Sequence, residues 1–312
     1  MGWGMKRANH KIAIVSLGSI GRRHIRLIKE LYPEIRIVLV RTKNSMAWPE
    51  ESMAEIVVFS VECAIKEGVV GAIICSPASF HLEHAQPFID RGVTVLIEKP
   101  LSNNLSSVKQ FLETKHSDKK SVIIGYVFRH SVAANRIKSM IRCGELGKIF
   151  TVDIKCKSNL MDWRPGTDYR QSVSANRKLG GGVLLELSHE IDYASWLFGP
   201  LEVVKADIES SAFLDAQVED VANLQINGRD NTQLQIYLSF SSQELVRHCQ
   251  ICAEKGCLNW DLISEKISWK PLGGHAKVWF GKQNRDDLFK RQHKHFFDVL
   301  EKTKAFVLGA GK

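Results

Sequence analysis

A short apolar run at residues 11–15 ends in Ser16-Leu17-Gly18-Ser19-Ile20-Gly21. A helical pattern follows at once, with Ile20, Ile25, Leu27, Ile28 and Leu31 spaced for one buried face. A glycine turn between a strand and a helix near the chain start narrows the possible folds more than any other feature. In such a unit one glycine lets the backbone approach a pyrophosphate and another lets the helix pack tightly on the strand. The helix N-terminus then offers unpaired N–H groups to the phosphates. The pattern departs from G-x-G-x-x-G at its first position, Ser16. Serine can stand there if the turn needs no positive φ, so the expectation is that it needs none.

The alternation continues. Pro33 stops the first helix, and strands are expected at 35–40, 57–59, 69–75, 93–97 and 121–126. Helices are expected at 81–91, capped by Gly92, and at 105–116. Alternating strands and helices predict a parallel sheet with right-handed crossovers. The back half reads differently. Helices are expected at 132–143 and 183–197, then strands at 203–208, 221–226, 233–240, 245–253, 257–262 and 266–269, and a last helix at 286–302. Strands joined by short polar turns predict an antiparallel sheet. The fold class is therefore α/β: a doubly wound parallel sheet over 1–125, then an α+β domain with a mainly antiparallel open sheet over 126–312.

Length and composition agree with two globular domains. At 312 residues each half can bury a core without disulfides, and 44% hydrophobic with 25% charged residues excludes a disordered chain. No apolar run approaches the roughly 20 residues of a membrane span. The polar first eleven residues lack the apolar core of a signal peptide. A cytoplasmic protein with no membrane partner is expected. The net charge of +9 is scattered rather than clustered, which argues against nucleic acid and suits a phosphorylated ligand. Seven cysteines, an odd number, argue against a disulfide framework. His248, Cys249, Cys252 and Cys257 hint at a metal knuckle. However, side chains three apart on a strand face opposite ways, and 254–256 reads as a turn into a second strand, so no metal is expected.

In a doubly wound sheet ligands bind beyond the carboxyl ends of the strands. Those ends carry Gly18, Arg41, Ser76-Pro77 and Glu98-Lys99. An acid at position 41 would accept from ribose hydroxyls and favour NAD. Arg41-Thr42-Lys43 instead can bind a 2′-phosphate, so NAD(P) is expected with NADP slightly favoured; stacking of Arg41 on adenine is the alternative. Lys99 precedes Pro100, which pushes its backbone toward an extended conformation at the strand end. After Gly180-Gly181-Gly182, residues Glu186, His189 and Asp192 recur every three positions and are expected on one side of one helix. A histidine with a neighbouring carboxylate makes an acid–base pair near neutral pH.

Together these segments resemble the Gfo/Idh/MocA family of NAD(P)-dependent sugar and cyclitol oxidoreductases. The carrying segments are IAIVSLGSIGRRHIRLI at 12–28, CSPASFHLEHA at 75–85, VTVLIEKP at 93–100 and LGGGVLLELSHEID at 179–192. The resemblance covers nearly the whole chain. It implies an N-terminal Rossmann domain and a C-terminal domain whose open sheet often mediates homo-dimers or tetramers. It implies catalytic roles for Lys99, between nicotinamide and substrate, for His189 as proton acceptor, and for Asp192. The expected cofactor-binding set, from the glycine turn and the strand ends, is Leu17, Gly18, Ser19, Ile20, Gly21, Arg41, Lys43, Ser76, Pro77, His81 and Glu98.

There are two departures. Many members carry an aspartate four residues before the histidine, where this chain has Leu185, and Glu186 follows. Many relatives also continue past the point equivalent to Lys312 into a helix that packs on the first domain. Residues 159–178 are polar and irregular and resemble a substrate loop. Trp163 can stack on a sugar, Arg164 and Arg170 can hold an anion, and Arg129 and Glu186 can join them. The expected activity is hydride transfer between nicotinamide and a secondary alcohol of a sugar, cyclitol or nucleotide sugar. The alternatives are an NAD-assisted glycosidase or epimerase with no net redox change, and a non-enzymatic cofactor-sensing regulator.

Overall fold

The four central strands of the front half are almost wholly buried on both sides, which requires a layer of helix on each face of one sheet. The computed structural model describes residues 10–43, 46–113, 121–211 and 213–309, with side chains in the last helix described through 303. Its first sheet has six parallel strands: β1 (Lys11–Val15), β2 (Arg36–Val40), β3 (Ile56–Val58), β4 (Gly71–Ile74), β5 (Thr94–Ile97) and β6 (Val122–Ile124). Their order is β3-β2-β1-β4-β5-β6. The order reverses between β1 and β4, where a crevice opens at the strand ends. Helices α1 (Ser19–Leu31), α2 (Val61–Lys66), α3 (His81–Ile89) and α4 (Leu105–Glu113) connect the strands. The end of the helix expected over 105–116 lies outside the described residues. Six-residue α2 escaped the sequence reading; Ser60 caps it by accepting from Cys63 N at 3.2 Å.

Alternate residues of each strand feed two cores. Ala13, Val15, Val38, Ala72, Ile74, Val95 and Ile97 join Ala85 and Phe88 of α3 on one face. Ile12, Ile14, Ile37, Leu39, Ile73 and Leu96 join Ile25 and Ile28 of α1 on the other.

The second unit spans Tyr126–Asn284. It contains α5 (Val132–Arg142), β7 (Ile149–Asn159), α6 (Val183–Glu186) and α7 (Ser188–Phe198). Seven strands follow: β8 (Glu202–Glu209), β9 (Val221–Asn227), β10 (Gln233–Ser239), β11 (Ser241–Ala253), β12 (Gly256–Asp261), β13 (Lys266–Pro271) and β14 (Lys277–Phe280). The sheet order is β14-β13-β12-β11-β7-β10-β9-β8, antiparallel except for the parallel β7–β10 pair. One face is buried, with Val152, Ile154, Cys156, Ile236, Leu238, Cys249, Ile251 and Trp260 on it. On α7, Tyr193 meets Trp260 at 5.3 Å between ring centroids. Central strand β7 was not read from the sequence, although Val152, Ile154 and Cys156 alternate with Asp153 and Lys155.

The final helix, α8 (Arg285–Gly309), corrects the expected domain boundary. It belongs with the described residues of the first unit, up to Gly125, not with the second unit. Phe296, Phe297 and Leu300 complete the core beneath α1, and Gly71 is there because a Cβ would lie 2.8 Å from both Leu300 and Phe296. Arg26 and Arg23 of α1 both reach Asp286, at 2.6 and 3.2 Å.

Candidate active site

The glycine turn is built from three constraints. Ser16 lies at φ 78, against the expectation that no positive φ is needed there. Ser16 N still donates to Val40 O at 3.0 Å, one residue beyond the β1–β2 ladder, as the chain leaves β1 for α1. A Cβ at Gly21 would lie 2.3 Å from Ser16 O, so only glycine lets the turn and helix approach this closely. Gly18 has φ near −70 and nothing within 4 Å of where a Cβ would be. Its freedom from a side chain therefore serves an approaching group rather than the fold. Helix α1 has no acid in its first turn and no side-chain cap. Open N–H groups, open space at Gly18 and no opposing charge fit a dinucleotide pyrophosphate.

At the end of β2 the structure redirects one expectation. The Arg41 side chain is 5% exposed, and its guanidinium pairs with the Glu51 carboxylate and with Met46 O. An arginine already holding an acid is not poised for a phosphate. The same connection is pinned to α1 by Arg22, which stacks on Trp48 at 3.9 Å. Lys43 is exposed on the turn beyond.

The ends of β4 and β5 are held together by His81. This buried ring lies 2.7 Å from both Ser76 O and Pro100 O, and burial is the largest influence, lowering its pKa below the ordinary 6.5. In the neutral ring one nitrogen donates to one carbonyl. His84 meets Ser76 Oγ at 2.9 Å. His81 thus braces the two strand ends from below, and Pro77 starts the turn leading into α3.

Glu98 is also a brace. It is 6% exposed, and its Oε1 lies 2.9 Å from His24 Nε2 on α1. His24 Nδ1 in turn lies 2.6 Å from His293 Nε2 on α8. A carboxylate only accepts, so in the neutral chain His293 donates to His24 and His24 donates to Glu98. Burial, then the neighbouring His24, drives His293 well below its ordinary pKa, which agrees with a neutral ring. Neither His24 nor His293 was singled out in the sequence. A buried relay between residues 269 positions apart leaves no local signal. Lys99 follows Glu98, half-buried, with its N–H 3.3 Å from Glu98 Oε2.

In the second unit the expected trio does not share one helix. Leu187 at φ −97, ψ 24 ends α6 and precedes α7. Glu186 closes α6 and accepts from Ser174 Oγ at 3.0 Å, whereas His189 and Asp192 lie one turn apart on α7. His189 is half-buried, edge-on to Phe128 at 5.1 Å and to Tyr126 at 5.8 Å. Asp192 is gripped by both arms of Arg129, at 3.0 and 2.7 Å. Burial raises the Asp192 pKa, and the Arg129 contact opposes that rise. Arg129, expected on substrate, therefore orients Asp192. Its side chain stays about half exposed.

The 159–178 segment folds as short 3-10 turns. Trp163 donates to Ser158 Oγ at 2.9 Å and packs edge-on against Phe240. Arg170 is matched by Asp168 and Asp215, at 2.9 and 3.4 Å, while Arg164 is exposed. A pair that the sequence reading missed lies beside His189: fully buried Glu190 accepts from Arg247 of β11 at 2.7 and 3.1 Å. Among the described residues no group of three His, Cys, Asp or Glu side chains is arranged to hold a metal. No described helix is long and apolar enough to cross a membrane.

Comparison with known proteins agrees with this architecture. Residues 10–126 match the family described as "Oxidoreductase family, NAD-binding Rossmann fold", and 134–259 match the "GFO/IDH/MocA C-terminal domain". Among curated relatives, an uncharacterized oxidoreductase of Synechocystis is 29% identical over 45% of this chain and 37% of its own length. The rhizopine catabolism protein MocA of Rhizobium meliloti is 24% identical over 61% of this chain, which spans 57% of that relative. An inositol 2-dehydrogenase of Acidiphilium cryptum is 24% identical over 79% of this chain and 72% of its own length. Among solved structures, a levoglucosan dehydrogenase in complex with NADH superposes with TM-score 0.83 at 15% identity, covering 94% of this chain and 90% of that one. The WlbA dehydrogenase from Bordetella pertussis, in complex with NADH and UDP-GlcNAcA, gives TM-score 0.73 at 19% identity, covering 95% and 82%. With both domains matched in order, and the glycine turn, the Glu98-Lys99-Pro100 strand end and the His189 helix in place, the chain belongs to the Gfo/Idh/MocA oxidoreductase family.

Proposed function

We propose that this protein is a nicotinamide-dependent dehydrogenase acting on a secondary alcohol of a sugar, cyclitol or nucleotide sugar. The observation that carries the reading is the glycine turn of the first unit, with open space at Gly18 before an uncapped α1; Lys99 after β5 and, in the second unit, His189 on α7 supply the acid–base groups of this reading. Inositol and levoglucosan dehydrogenases and a UDP-GlcNAcA-bound dehydrogenase among its relatives and structural neighbours support that substrate range.

When bound, the nicotinamide supplies the hydride acceptor or donor. The remaining work belongs to the chain. His189 takes the hydroxyl proton in the oxidative direction. Asp192, oriented by Arg129, lines the same helix turn as the acid–base partner. Lys99 Nζ stabilises the developing alkoxide and orients the hydroxyl. Gly18 and the α1 N-terminus bind the pyrophosphate. Leu17, Ser19 and Ile20 give the turn its shape, and Ser76 and Pro77 border the site. NAD(H) is the preferred cofactor in this reading, because Glu51 both neutralises Arg41 and places an acid near the position a 2′-phosphate would take. Trp163, Arg164, Arg170 and Glu186 are assigned to the substrate side, in a soluble cytoplasmic homo-oligomer.

The test is a titration with NADH and NADPH, then a turnover panel of cyclitols, anhydrosugars and nucleotide sugars. Lys99→Ala and His189→Ala should keep NADH affinity and lose about 10²–10⁴-fold in kcat. A His189→Ala enzyme as fast as wild type on its best substrate would end the assignment.

A further inference from the structure

Cys75, Cys156 and Cys249 are buried, and burial pushes each thiol up. Cys63 and Cys143 are exposed on separate elements, in α2 and just after α5. Cys252 and Cys257 are different. They are register partners on β11 and β12, both half-buried, with Sγ atoms 3.4 Å apart. The turn Glu254-Lys255 joins the strands, with Ala253 opposite Gly256. In a two-residue hairpin that closing pair is hydrogen-bonded, so the next pair, Cys252 and Cys257, is the non-hydrogen-bonded kind. There Cα atoms lie about 4.5 Å apart and side chains lean together, inside the roughly 4.4–6.8 Å range of disulfides. The hairpin is already fixed from outside. β11 runs along β7, β12 pairs with β13, and a Cβ at Gly256 would lie 2.2 Å from Lys270 O. Bond formation needs only rotation of the two side chains.

We propose that Cys252 and Cys257 form a reversible oxidation site, a cross-strand disulfide made by exchange with a low-molecular-weight disulfide such as oxidised glutathione. One protein thiolate attacks a sulfur of the glutathione disulfide, forms a mixed disulfide and releases one glutathione thiolate. The second protein thiolate attacks the protein sulfur of that mixed disulfide, closes the bridge and releases the other glutathione. The two cysteines lose two electrons and two protons, and the glutathione disulfide gains both. Proximity sets this pair apart: the Cys252 sulfur, then burial, raise the Cys257 thiol, and Lys270, the β13 partner of Cys257, opposes that rise.

The experiment incubates the full-length reduced protein with excess oxidised glutathione, blocks remaining thiols with maleimide and maps tryptic peptides without reduction. Trypsin cuts after Lys255, inside the turn, so residues 248–255 and 256–266 stay together only if bridged. The expected result is that linked pair, with fragmentation assigning the bond to Cys252 and Cys257. Maleimide labelling of both should fall at least tenfold, and dithiothreitol should restore it. In Cys252→Ser the linked pair should vanish and Cys257 should carry one glutathione. Separate glutathione adducts on both wild-type cysteines, a bond to Cys249, or undiminished labelling of Cys252 and Cys257 would overturn the proposal. The wild-type map decides without the variant.

Discussion

At the scale of single residues, the two glycines of the turn have separable roles. A side chain at Gly21 must displace the Ser16 carbonyl, whereas one at Gly18 meets nothing. Gly21→Ala is therefore expected to destabilise the fold by about 1–3 kcal/mol, the usual range for overpacking. Gly18→Val should leave the thermal midpoint nearly unchanged and weaken NADH binding at least tenfold. Thermal melts beside NADH fluorescence titration distinguish the two; a Gly18→Val protein with wild-type NADH affinity would remove the pyrophosphate from this turn. Arg41 gives a second residue-scale prediction. Glu51→Gln removes the negative charge beside its guanidinium while Met46 O still accepts from it, and a charge-assisted contact to phosphate contributes about 1.5–3 kcal/mol. NADPH affinity should then rise about tenfold or more with little change for NADH. An unaltered NADPH-to-NADH ratio would show that Arg41 does not face the 2′ position.

At the scale of elements, α7 is fastened to the sheet by a charge pair rather than by apolar packing alone. Glu190 is fully buried and Arg247 is 24% exposed. Glu190→Ala leaves a largely desolvated guanidinium without its acid. The expected loss is about 3 kcal/mol, the low end of the range for broken buried pairs, because Arg247 retains some water. Urea denaturation measures it. Replacing both partners, as Glu190→Leu with Arg247→Met, should recover part of the loss. If the double variant is less stable than the single one, the cost comes from packing rather than from unpaired charge. The same pair ties to β11 the helix turn that carries His189.

For the whole molecule, three histidines packed neutral predict how stability responds to acid. Burial lowers the pKa of His81, His84 and His293. Above about 6.5 these rings are neutral folded or unfolded, so they make no pH-dependent difference. As pH falls below 6.5 the unfolded chain takes up protons that the folded rings refuse, and stability drops until the folded pKa values are reached. Neighbouring titratable groups do not reverse this: Glu98 and Lys99 act oppositely on His81, Glu83 and Glu62 only partly offset burial at His84, and the adjoining His24 ring lowers His293 further. The thermal midpoint should be level from pH 8 to 7 and decline from 6.5 to 5. His293→Asn should flatten part of that decline. A midpoint constant down to pH 5 would contradict neutral burial.

Local order was written in the sequence; partnership was not. The βα rhythm of residues 11–126, the antiparallel strands after 202 and the positions of Gly18, Lys99 and His189 are legible because they rest on periodicity and turn chemistry within a few residues. Central strand β7 was legible in principle, but its charged half-exposed face hid the alternation. The tertiary structure alone decided that Ser16 adopts a left-handed conformation, that Arg41 holds Glu51 and that Arg129 grips Asp192. It alone decided that α8 returns to the first sheet, and that His293 reaches Glu98 through His24. In each of the side-chain pairings a polar or charged side chain found its partner by proximity in space. Sequence constrains which groups must be satisfied on burial, and only the assembled packing selects the groups that satisfy them.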